Sequence, residues 1–122
     1  MNEELIEYRK LYDSFVAGYR KGHVGPEDVG IKILELGREK VRLNLLSIEI
    51  RKAYRARKAG FAQGEDKATG KPMSSAKADV LADDTPEAAA LDEIDVHVEN
   101  CRDCLYYLHD LKDALSLEAK MA

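Results

Sequence analysis

Three side chains in the last third of the chain, His97, Cys101 and Cys104, stand at i, i+4 and i+7, so one helix would bring all three to a single face. Imidazole and thiolate are soft ligands that suit zinc, and a fourth could come from His23, Asp103 or a second subunit. Structural zinc sites, however, usually draw two pairs of ligands from separate elements. Cys101 also falls on an apolar stripe, where a free cysteine behaves as a small buried hydrophobe. The Cys-Arg-Asp-Cys spacing lacks the helix amino terminus that thiol redox chemistry needs. Neither metal nor cofactor is therefore expected. Carboxylate pairs among Asp83, Asp84, Asp92, Glu93 and Asp95 look like a solvated helix face. With no Ser-His-Asp set, phosphate-cradling glycine loop or His-Glu-x-x-His motif, the chain reads as non-enzymatic.

The second concentration of chemistry is the run RKAYRARKAG, which places Arg51, Lys52, Arg55, Arg57 and Lys58 around Tyr54. On a helix, Arg51, Arg55 and Lys58 share a face by spacings of four and three. A positive ridge with an aromatic beside it can follow a phosphate backbone while a base stacks. The other reading pairs these cations with carboxylates inside the molecule. Through Ala78 the chain has 16 Lys and Arg against 11 Asp and Glu, or +5; from Asp79 onward it has 3 against 12, or −9, which together give the net −4. Antiparallel helices carrying these opposite charges would pair them internally.

The elements that position these residues are helical. The chain of 122 residues is expected to form one domain. Leu5, Tyr8, Tyr12, Phe15 and Tyr19 form one stripe on a helix over about 3–21, with Asn2 as its cap and Gly22 as its end. Pro26 opens a long helix to about Gly60 with two apolar faces: Ile33, Leu34, Val41, Leu45 and Ile48 on one, Leu36, Leu43, Leu46, Ile50 and Tyr54 on the other. Gly30 and Gly37, seven apart, would let another backbone approach. Gly30, Gly37, Leu34, Val41 and Ile48 are thus the expected oligomer-packing residues. A loop over 61–74, with no strand-like alternation, and a short helix over 75–82 follow. Thr85, Pro86 and Glu87 then start a last helix over 86–119. Its stripe of Leu91, Ile94, Val98, Cys101, Leu105, Leu108 and Leu115 has coiled-coil spacing. The fold expected is all-α, a short amino-terminal helix plus a long antiparallel helical hairpin, self-associating because the second face of the middle helix needs a cover.

No apolar run approaches the roughly 18 to 20 residues of a membrane span. The acidic start MNEELIEYRK lacks a secretory signal, and two cysteines three apart imply no disulfide framework. A cytoplasmic location is expected.

The layout over roughly residues 26–117 resembles the recombination mediator family of T-even bacteriophages. It shares a long helix turning basic toward its end, a glycine-containing loop, the segment Lys77, Ala78, Asp79, and a final helix with Leu108, Leu111, Lys112 and Leu115. The resemblance implies a homo-oligomer that binds single-stranded DNA and helps load a recombinase onto strands coated by single-strand-binding protein, in the cytoplasm of the phage's host. It places Arg51, Lys52, Tyr54, Arg55, Arg57 and Lys58 at the DNA. The acidity after Asp79 departs from the family and leaves a second expectation open. That alternative is a protein-interaction module, such as a virion assembly component or an acidic inhibitor whose face from Asp83 to Asp113 mimics DNA.

Overall fold

The computed structural model describes the backbone of residues 2–121 and the side chains of residues 8–121. Its elements are α1 (Asn2–Arg20), α2 (Pro26–Ala62), β1 (Glu65–Asp66), β2 (Lys71–Pro72), α3 (Ser75–Asp83) and α4 (Pro86–Met121). The four expected helices are all present, with bounds within two residues of those read from the sequence. The expected loop differs: it holds a short antiparallel ladder that pairs Glu65 with Pro72 and Asp66 with Lys71. The side chains of Leu5 and Asn2 lie outside the described residues. The residues divide into two compact units, Met1–Leu43 with His97–Ala122 and Asn44–Val96.

In the first unit, α1 stops where the backbone turns left-handed at Gly22, φ 75°. His23 N–H donates to Gly18 C=O at 2.8 Å and Gly22 N–H to Tyr19 C=O at 2.9 Å, a Schellman closure that satisfies carbonyls the helix would leave unpaired. The chain then folds back so tightly that a Cβ on Gly18 would collide with Val24. α2 begins at Pro26, and Asp28 in its first turn reaches back to accept from Gly25 N–H at 2.9 Å, half of a capping box.

Val29 and Leu36 from α2 meet Cys104, Leu108 and Leu115 from α4 in a buried cluster. Tyr8, Tyr12, Phe15 and Tyr19 of α1 pack onto it, which is the use of the stripe seen in the sequence. α2 and α4 run antiparallel in this unit, with Lys112 beside Gly30 and Cys101 beside Leu36. Burying a side chain such as Leu108 contributes about 1.5–3 kcal/mol, so a handful of such residues holds the three helices together. Val29, Leu36 and Leu43, each seven apart, are the buried residues of α2, so the core stripe is narrower than the second face expected from sequence.

In the second unit the buried residues are mostly small: Ala78, Ala82 and Ala88 beside Ile94. Asp66 organises the hairpin, accepting from Ala68 N–H at 3.0 Å and from Lys77 Nζ at 2.7 Å. Gly70 closes the turn at φ 69°, a conformation that costs glycine nothing. Ser74 caps α3 by accepting from Lys77 N–H at 3.2 Å. Thr85 joins the next two helices: its hydroxyl donates to Ala82 C=O at 2.6 Å and accepts from Ala88 N–H at 3.2 Å.

Candidate nucleic-acid interface

The carboxyl-terminal half of α2 carries the basic run, and in the second unit some of its side chains turn toward acids while the others stay in solvent on either flank. Arg51, Tyr54 and Lys58, spaced by three and four, are half-buried and turned toward acids. Arg51 lies 3.2 Å from Asp95 of α4. Tyr54 donates its hydroxyl to Asp83 at 2.8 Å. Lys58 stands 2.6 Å from Asp79 of α3. The hydrogen bond to Asp79 raises the Lys58 ammonium above its ordinary range, and the bond to Asp83 does the same for the Tyr54 phenol.

Lys52, Arg55 and Arg57 are exposed. Lys52 has only a loose approach of 3.8 Å to Glu49, one turn back on its own helix. Arg57 lies over the ring of Phe61 at 5.1 Å, a cation-π arrangement that steadies the guanidinium and leaves its other face open. Ala56, Arg57, Gly60 and Phe61 line a shallow groove there. Among the described residues no carboxylate pairs with Arg55 or Arg57. In the hairpin, Lys67 and Lys71 are exposed, whereas Lys77 is held by Asp66.

The ridge expected from sequence is therefore not one surface. Arg51 and Lys58 were placed with Arg55 by spacing, but Arg55 sits a further 40° or so around the helix from Arg51, given about 100° per residue. That difference is enough to leave it in solvent while its neighbours reach α3 and α4. The sequence offered one sign of this split: Arg51, Tyr54 and Lys58 keep the 3-4 spacing of a packed face, and acids are concentrated after Asp79.

Cys101 and Cys104 are buried, and His97 with them. The Cys101 thiol points to Leu36 C=O at 3.6 Å and the Cys104 thiol to Tyr8 C=O at 3.7 Å. Burial pushes both thiols up, Cys104 to about 11, the opposite of what a metal-binding or nucleophilic thiolate requires. Among the described residues no group of three His, Cys, Asp or Glu side chains is disposed to hold a metal ion. Likewise, among them no helix is long and apolar enough to cross a membrane.

The expected packing residues divide too. Leu34, Val41 and Ile48 are exposed on α2, and a Cβ on Gly37 would meet open space. A Cβ on Gly30 would lie 3.7 Å from Lys112 Cε of α4 in the same chain, an ordinary van der Waals contact, so Gly30 faces the internal helix pair. In the first unit Leu34, Gly37 and Val41 line an open groove with Leu105 and His109 of α4.

Comparison of the chain with protein-family models, with curated proteins and with solved structures returned no match.

Proposed function

We propose that this protein is a non-enzymatic, phage-type accessory protein of DNA recombination or replication, working in the host cytoplasm. It contacts single-stranded DNA through Arg55 and, on the other flank of α2, Arg57, beside which the ring of Phe61 offers a surface for base stacking. Arg51, Tyr54 and Lys58 support the site by fixing α2 against α3 and α4. The protein acts as a homo-oligomer, since α2 leaves apolar residues uncovered. Protein partners, a recombinase or a single-strand-binding protein, meet the exposed carboxylates of α4. The observation that carries the reading is the solvent exposure of Arg55 and Arg57, without a carboxylate partner among the described residues, in a chain that pairs Arg51 and Lys58. Anisotropy of a labelled oligonucleotide across a salt series tests it. Affinity that falls as salt rises, by about 0.7 log units per log unit of salt for each phosphate contacted, is expected. Absence of binding at low salt, or binding unchanged by Arg55→Glu with Arg57→Glu, would remove the DNA contact.

A second reading is a protein-interaction module with no nucleic-acid contact, favoured by Asp92, Glu93, Glu99, Asp110 and Asp113, all exposed on α4. Exposed carboxylates of this kind match a basic groove on a partner. Recovery of a nuclease or a capsid protein by the immobilised protein, together with no oligonucleotide binding, would select it.

A further inference from the structure

Five of the exposed apolar residues of α2 follow a register that is complementary to itself. Ile31, Leu34, Val41, Leu45 and Ile48 are 59, 72, 59, 61 and 51 % exposed. With Arg38 between Leu34 and Val41, they recur at alternating intervals of three and four, the spacing of a helix-helix seam. The same spacing reaches Glu27 at the amino end and Lys52 at the carboxyl end, both exposed. Gly37 beside the seam opens onto empty space, which gives room for a close helix.

We infer that a second copy of this chain covers the seam with its own α2, running antiparallel. In that direction one register pairs the apolar positions and the ends together: Ile31 meets the partner's Ile48, Leu34 meets the partner's Leu45, Val41 packs against the stem of the partner's Arg38, and Glu27 faces the partner's Lys52. A parallel copy would set Glu27, Arg38 and Lys52 each against its own like charge, which is unfavourable. Exposed apolar surface of this extent marks a contact, and the charges at its two ends choose the orientation. The inference rests on the self-association proposed above and names its geometry.

Cysteine cross-linking tests it, since the native thiols are buried. A mixture of the Leu34→Cys and Leu45→Cys variants under mild oxidation is expected to form a disulfide-linked dimer, and Leu34→Cys alone is not. Glu27→Lys and Lys52→Glu are each expected to weaken the dimer by up to about fivefold in sedimentation, and the two together to restore it. No cross-link in the mixture, or a cross-link from Leu34→Cys alone, overturns the antiparallel pairing. Sedimentation as a single chain at every concentration overturns self-association as well. The Arg55→Glu with Arg57→Glu variant, read by oligonucleotide binding, reports on the DNA contact independently of either.

Discussion

The guanidinium of Arg51 lies 3.2 Å from the carboxylate of Asp95, while Arg55, one turn further along the same helix, reaches no carboxylate among the described residues. Two arginines of one basic run thus have different tasks. Arg51→Ala is expected to lower stability by at most about 1 kcal/mol, since the ion pair is nearly half exposed, and to leave oligonucleotide affinity nearly unchanged. Arg55→Ala is expected to leave stability within about 0.5 kcal/mol and to reduce the salt dependence of binding by about 0.7 log units per log unit of salt. Paired melting and anisotropy measurements check both halves.

Leu108 is completely buried and Leu34 is 72 % exposed. Leu108→Ala is expected to cost about 2–5 kcal/mol, through lost transfer energy and the cavity left behind. Leu34→Ala is expected to alter the dilute protein's stability by no more than about 0.5 kcal/mol. Chemical denaturation of the two variants at low protein concentration compares them directly.

Cys101 and Cys104 combine burial with raised thiol pKa values. At about pH 8 a neutral aromatic disulfide reagent is expected to leave both thiols of the folded protein unmodified and to titrate both in denaturant, because the thiolate is the reacting species. Rapid reaction of the native protein would place a thiol at the surface.

The Lys77 ammonium holds the Asp66 carboxyl below its ordinary value of 3.8, with the Ala68 N–H adding to the effect. A depressed carboxyl pKa contributes stability that is fully present above the unfolded value and is lost as pH falls through the lower folded value. The hairpin is therefore expected to loosen as pH falls below about 3.8, and Asp66→Asn to loosen it at neutral pH. Amide exchange at Thr69 and Gly70, whose N–H groups bond to Asp66 C=O, gives the readout.

Much of the fold was legible because helix punctuation here is local. Gly22, Pro26 and Thr85 each mark the helix end or start that their residue type implies, so these bounds could be read from short stretches; Asp28 and Ser74 add caps that only the structure shows. The hairpin at 65–72 was not legible, since strands of two residues have no alternation to detect and the turn depends on Asp66 bonding to Lys77, 11 residues away. The basic run was legible as a cluster, while its division into paired and solvent-exposed members was not. Spacing alone groups Arg51, Arg55 and Lys58, and only the position of α3 and α4 decides which of them points inward. The glycines illustrate the same limit: Gly30 and Gly37 share a face by spacing, yet Lys112 fills the space beside one and nothing fills the space beside the other.

Thr85 is both the end of α3 and the start of α4, with only Asp84 between it and the last residue of α3. So short a joint fixes the rotational phase of the helix that follows. Adding a single residue between Asp84 and Thr85 would separate the Thr85 hydroxyl from Ala82 C=O and undo the one side chain that closes α3 and opens α4 together. The spacer length at this corner therefore tolerates less change than the identity of many residues around it.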